Sequence, residues 1–231
     1  MSPSRVETAV TDGGLEITKL VTSDTDIVVP AEVDGMDVVS LGPQFLRGCH
    51  GTGGRTLTIP GSVVRASEEA LVAFSGLRKI IYQGTFEVFN GFKWDVSTDC
   101  QLTCADGFTF NFLGGYPMCF PQFDNEILIT HQRLSEEVAM QRLSNPVMLT
   151  DDSREMYAQF MRSRIIPMAE HAIMENDIDG LHSALEPDLI PERDLTALLE
   201  YSLRSGKIPA TSVLMSYLNA RARGSDRRSR G

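Results

Sequence analysis

A block of thirteen residues recurs 25 positions further along the chain. DVVSLGPQFLRGC, residues 37–49, aligns without a gap on SVVRASEEALVAF, residues 62–74. Val38 falls on Val63, Leu41 on Ala66, Phe45 on Ala70, Leu46 on Leu71 and Cys49 on Phe74. The flanks match as well, Val29-Pro30 with Ile59-Pro60. A period of this length means a solenoid, in which each coil stacks on the next and none can bury its apolar face alone. One strand per coil joins its neighbours in a sheet, and proline just after the strand sets the corner, where no hydrogen-bond donor is needed. The stretch TLTIPGSVVRASEEALVAFSGLRKI then reads as one full coil. Leu57 and Ile59 share a strand face, Pro60 is the corner, Val63 and Leu71 are inward rungs, and residues 77–80 begin the next coil.

The motif VVSLGPQFLRGC and the longer TIPGSVVRASEEALVAFSGLRKI resemble the BspA-like type of leucine-rich repeat, whose pattern is IP-x-x-V-x-x-I-G-x-x-A-F-x-G-C-x-x-L-x-x-I. IIYQGTFEVFNGF followed by CQLTCADG is similar to the Y-x-G-T…C-x-D-G ending of such arrays, carried by Tyr82, Gly84, Thr85, Cys104, Asp106 and Gly107. The resemblance spans roughly residues 15–110. It departs from the family at Ala66-Ser67, where Ile-Gly is usual, at Leu71, where Phe is usual, and in the insertion HGTGG after Cys49. It implies a leucine-rich-repeat solenoid that binds a protein or a surface. So short an array needs something else to cap its ends.

Short runs such as LEITKLV, DIVVP and CQLTC, set between Gly, Asp and Pro, make the chain β-rich up to about Phe112. From about Leu134 it reads as helical. Between them lies FLGGYPMCFPQFDN, in which Phe112, Tyr116, Phe120 and Phe123 are too apolar to leave in water, at about 25 cal/mol per Å². They are expected to pack the two halves together. In the helical half, Ser135 is placed to cap a helix with acidic residues in its first turn. Met156, Phe160, Met161 and Ile165 share one helical face, and Pro167, Pro191 and Pro209 suit helix starts. HAIMENDIDGLHSAL also aligns on YSLRSGKIPATSVLM at an offset of 30, with Ile173 on Leu203, Asn176 on Gly206, Ile178 on Ile208 and Ala184 on Leu214. This helix, tight turn, helix unit is similar to ankyrin-type helical pairs, without the hairpin that defines true ankyrin repeats. The fold class is therefore α+β: a short leucine-rich-repeat β-solenoid followed by an all-α helical-hairpin domain. The expected divisions are 1–112 for the solenoid, 113–125 for an aromatic connector, 126–222 for the ankyrin-like domain, and 223–231 for a basic tail. The C-terminal half is a candidate cap for the solenoid.

A formal charge of −10 argues against a general nucleic-acid surface. Only the end of the chain, ARARGSDRRSRG, is Arg-rich, and it is expected to be a disordered tail able to touch nucleic acid or an acidic partner. The first residues lack a signal-peptide apolar core, and no run of about 18 apolar residues exists, so no membrane span and a cytoplasmic location are expected. Cys49, Cys100, Cys104 and Cys119 are then thiols rather than disulfides.

Chemistry has few footholds. Cys100, Cys104 and Cys119, with Cys49-His50 and His131, are the alternative metal set, but they lack the two close pairs of a structural zinc site. The repeat reading instead makes Cys49 and Cys104 buried ladder positions. HGTGG has no Gly-x-Ser-x-Gly elbow to accompany it. Ser205-Gly206-Lys207 lacks P-loop spacing and reads as a helix end. His171 and His182 are unpaired helical positions, and the carboxylate pairs Glu68-Glu69, Glu136-Glu137 and Asp151-Asp152 are adjacent rather than spaced on one face, the latter two at helix starts. Phe89, Phe92 and Trp94 form either a capping cluster or an exposed contact patch. The expected function is a non-enzymatic protein-protein interaction module with no cofactor and a neutral or basic protein partner. The alternative is a Cys/His metal-binding regulator or enzyme with its site at the domain seam.

Overall fold

The structure, a computed structural model, describes residues 5–49, 53–72 and 74–228. His50, Gly51 and Thr52 of the HGTGG insertion lie outside the described residues. The chain divides into two compact units, Met1–Arg133 and Leu134–Gly231. The first is a solenoid-like stack of about four coils and the second is helical, so the fold is α+β.

Two sheets wall the first unit. One holds β1 (Arg5–Thr11), β2 (Gly14–Val21), β5 (Met36–Leu41), β4 (Glu32–Val33) and β7 (Arg65–Ala66). The other holds β3 (Asp26–Val28), β6 (Arg55–Ile59), β8 (Leu77–Tyr82), β9 (Cys100–Cys104) and β10 (Thr109–Phe112). Within the second sheet β3, β6, β8 and β9 run parallel, as one strand per coil requires. Ile27, Leu57, Ile80, Leu102 and Phe110 face one another in register, each 1% exposed or less. In the first sheet the coils are tied by equivalent hydrogen bonds. The Gly42 amide donates to the Ile17 carbonyl at 2.9 Å, and the Ser67 amide to the Leu41 carbonyl at 2.8 Å. The repeat alignment holds in three dimensions: Val38 and Val63 are both buried, as are Phe45 with Ala70 and Leu46 with Leu71.

The stack is closed at each end by an antiparallel strand, β1 against β2 and β10 against β9. Helix α1 (Phe86–Asn90) and helix α2 (Gln122–Thr130) also belong to the first unit. Phe112, Tyr116, Phe120 and Phe123 belong to this unit and are buried in it against one another and Phe110. Phe123 of α2 meets Phe110 and Phe112 of β10 edge-on, with ring centroids 5.3 and 5.5 Å apart. The physical reason is that β10 exposes one apolar face and needs a layer over it.

The second unit is built from helical hairpins. Helix α3 (Glu136–Ser144) packs on α4 (Asp151–Met161), α5 (Ile165–Glu175) on α6 (Ile178–Leu185), and α7 (Glu192–Arg204) on α8 (Ile208–Arg228). α5 also packs on α7 and α6 on α8, so the last two hairpins stack helix on equivalent helix. Their turns are alike in detail. Asn176 and Gly206, 30 positions apart, both take the left-handed conformation, at φ 55° and 65°. The Asp177 amide reaches back to the Ala172 carbonyl at 2.9 Å, and the Lys207 amide to the Ser202 carbonyl at 3.0 Å, the closure that ends a helix with a left-handed residue. The Ser135 and Thr150 hydroxyls cap α3 and α4.

Two expectations change here. Met156 is exposed, and the buried stripe of α4 runs through Ser153, Tyr157, Ala158 and Met161 instead, because Tyr157 is the larger group to bury. The tail expected to be disordered from 223 begins inside α8, which runs on through Arg228. Among the described residues no helix is long and apolar enough to cross a membrane.

One charged clamp holds the end of α2 in the first unit. Arg133 grips Asp99 through both guanidinium nitrogens, at 2.8 and 3.0 Å, and donates to the Gly114 carbonyl at 3.1 Å. The Asp99 carboxylate accepts from the Gly114 amide at 2.9 Å. Hydrogen bonding to Arg133, then to Gly114, holds the Asp99 carboxyl down at about 2 from 3.8. A depressed carboxyl contributes stability above its unfolded value and loses it as pH falls toward its folded one. Both side chains are about half exposed, so solvent screening limits the contribution to about 1 kcal/mol. Asp99→Asn should therefore melt below wild type at pH 7, and the gap should close between about pH 4 and pH 2. A gap that stays constant across that range would show that the clamp does not act through the Asp99 charge.

Candidate functional site

The solvent face of the second sheet is the most regular surface of the first unit. With Ile27, Leu57, Ile80, Leu102 and Phe110 pointing inward, the alternate positions must point out. They fall into two rows. Asp26, Thr56, Lys79, Gln101 and Asn111 form one, and Val28, Thr58, Ile81, Thr103 and Thr109 the other. Neighbouring strands lie about 4.8 Å apart, so each row runs about 19 Å. Lys79 and Asp26 offset each other, leaving a nearly neutral face of hydroxyls, amides and two β-branched apolar side chains. Such a surface can hydrogen-bond and make close apolar contact, and it carries no pair of groups set for proton transfer.

The terminal motif residues do structural work. The buried Tyr82 hydroxyl donates to the Val63 carbonyl at 2.7 Å, tying one coil to the previous one, and burial pushes its ionisation up to about 12. A Cβ on Gly84 would sit 2.5 Å from the Tyr82 ring, so only glycine fits there. The Asp106 carboxylate accepts from the Phe86 amide at 2.8 Å and the Phe108 amide at 3.2 Å, satisfying the start of α1 and the turn into β10. Phe89, Phe92 and Trp94 are buried and touch one another, and the Trp94 indole donates to the Ser67 carbonyl at 2.9 Å. They form a capping cluster over the third coil.

The cysteines are dispersed. Cys100 and Cys104 occupy the two ends of β9 on its inward face, about 13 Å apart along the strand. Two thiolates on one zinc lie within about 5 Å, twice a Zn–S bond of about 2.3 Å. Among the described residues no group of three or more His, Cys, Asp and Glu side chains is placed to hold a metal ion. The structure thus does not bring Cys100, Cys104 and Cys119 together as a ligand set. Cys49 is half-buried and donates to the Leu20 carbonyl at 3.2 Å. His131 is exposed in the left-handed position that ends α2, and His171 and His182 lie exposed on α5 and α6. Gly206 closes α7, Glu136-Glu137 and Asp151-Asp152 sit in first turns, and neither set converges on a nucleophile.

A groove of about 700 Å³ was not visible in the sequence. It opens where three successive coils meet, lined by Thr18 and Lys19 of β2, by Pro43, Gln44, Arg47 and Gly48 after β5, and by Glu69 after β7. Its residues are scattered between positions 18 and 69 in no local pattern, since only coil stacking brings them together.

Burial pushes the Cys100 and Cys104 thiols up to about 12 and raises Cys49 and Cys119 as well. Only Cys49 among them is more than a few per cent exposed. A thiol reagent at pH 8 should therefore label Cys49 in the folded protein and the other three only on unfolding. Fast native labelling of Cys100 or Cys104, or stoichiometric zinc in the purified protein, would contradict this placement. A second check is Tyr82→Phe, which leaves the Val63 carbonyl unpaired and should lower stability by about 1–2 kcal/mol in chemical denaturation. No family model, no curated protein and no solved structure matches the chain.

Proposed function

We propose that the protein is a non-enzymatic interaction module, built from a BspA-like leucine-rich-repeat solenoid and an ankyrin-like helical array, that binds another protein. The observation that carries this reading is the pair of outward rows on the second sheet, Asp26–Thr56–Lys79–Gln101–Asn111 and Val28–Thr58–Ile81–Thr103–Thr109. A broad, regular, nearly neutral face suits a protein surface better than a small substrate, because reaction chemistry needs a water-excluding pocket with convergent groups. Stacked repeats supply such surfaces as a by-product of burying their ladders. The partner is a neutral or basic protein, in keeping with the net charge of −10. A reducing compartment such as the cytoplasm suits the four unpaired cysteines.

Affinity capture with the intact protein, compared with a variant carrying Thr58→Lys and Ile81→Glu, tests the proposal. Both positions lie in the centre of the outward row, where interface residues contribute most. The wild type should recover a stoichiometric protein partner, and the double variant should bind it at least about tenfold more weakly, equivalent to about 1.4 kcal/mol, at an unchanged melting temperature. A partner retained equally by both proteins would remove this face from consideration.

A further inference from the structure

The groove between the coil turns holds charges that do not satisfy one another. Arg47 lines it, and among the described residues its guanidinium makes no ion pair and no hydrogen bond. Glu69 lines it from the next coil, and among the described residues its carboxylate is equally unpaired. Lys19 lies 3.9 Å from Glu7, which is closer to Arg5 at 3.3 Å, so its ammonium is weakly held. Arg47 and Glu69 line one cavity without meeting.

The walls that carry these groups are fixed. The Leu20 amide, beside Lys19, donates to the Phe45 carbonyl at 2.7 Å, which ties the first wall to the second. The Gln44 amide donates to the Glu69 carbonyl at 3.0 Å, which ties the second to the third. Gln44 takes the left-handed conformation at φ 51°, an uncommon backbone for a residue with a side chain, and its position holds the turn in this shape. The Thr18 hydroxyl is already committed to the Glu7 carbonyl at 3.1 Å, while the Gln44 side-chain amide is free among the described residues. A wall fixed before binding does not have to be ordered by the ligand.

We propose that this groove binds a small zwitterion of the acidic amino-acid class. Its two carboxylates meet Arg47 and Lys19, and its ammonium meets Glu69. The charge pattern selects this class: two cations and one anion on the wall complement two anions and one cation on the guest. Arginine presents a planar fork of donors that matches a carboxylate in two bonds, and lysine supplies a point charge beside it. The volume of about 700 Å³ lies within the range of small-molecule sites. The assignment does not depend on the second sheet, whose outward rows lie on separate strands.

Calorimetric titration of the intact protein with L-glutamate and with N-acetyl-L-glutamate tests the assignment. The acetyl group removes the ammonium and leaves both carboxylates. Glutamate should bind saturably, and N-acetylglutamate about tenfold more weakly, as expected for loss of one charge-assisted contact. Glu69→Gln should weaken glutamate about tenfold and leave N-acetylglutamate unchanged, whereas Arg47→Met should weaken both. Both positions are exposed, so an unchanged melting temperature confirms that the variants fold. Absence of saturable glutamate binding up to about 10 mM would overturn the proposal, as would equal binding of the two ligands or an equal effect of Glu69→Gln on both.

Discussion

The inward ladder of the second sheet is the constraint on which the first unit depends. Ile27, Leu57, Ile80, Leu102 and Phe110 each come from a different strand, and each is buried beside its neighbours in the row. Full burial of one such side chain contributes about 1.5–3 kcal/mol, yet a single coil collects almost none of it alone. The stacking hydrogen bonds act the same way, since Gly42 to Ile17 and Ser67 to Leu41 join different coils rather than residues of one. Stability is therefore shared between neighbours, and the two ends are the weak points.

That weakness explains why the ends of the unit look unlike its middle. β1 is antiparallel and closes one sheet, and β10 is antiparallel and closes the other. An antiparallel strand can follow its partner through a tight turn, whereas another parallel strand would require another full coil. The turn into β10 is held by Asp106, which accepts from two amides at once, and the far side of β10 is covered by Phe120 and Phe123. Arg133 then fastens the end of α2 to Asp99, just before β9. The cap is thus a continuous run of sequence that follows the last coil.

The repeat was legible because stacking demands the same residue type at the same inward position. Val38 with Val63 and Leu46 with Leu71 show this directly, and so do Asn176 and Gly206 at the ends of α5 and α7. The cap was less legible. FLGGYPMCFPQFDN carries two prolines and two glycines, which read as a connector, although its aromatic side chains belong to the core of the first unit. Local composition reports backbone irregularity, and an irregular backbone can still be fully packed. The face of α4 was misread by one position because Met156 and Tyr157 are both apolar enough to bury, and only packing chooses between them. The groove was invisible for a different reason, because Lys19, Arg47 and Glu69 come from three coils and share no spacing with the repeat.

Arg55 marks where the ladder stops being purely apolar. It begins β6, pairs in register with Leu77, and is 4% exposed, so it occupies an inward position. One of its terminal nitrogens is buried without a hydrogen-bond partner among the described residues. Its guanidinium lies over the Phe74 ring, 5.4 Å from the centroid. An aromatic face attracts a cation through its quadrupole, and the arginine stem adds apolar contact of its own. Phe74 takes the place in its coil that Cys49 takes in the coil before. A stack of identical coils would have put two small groups there, and the larger ring supplies the surface over which an arginine can lie. Two departures from the repeat, Arg55 and Phe74, are therefore coupled, since the unusual inward cation lies against the larger ring of the coil stacked on it.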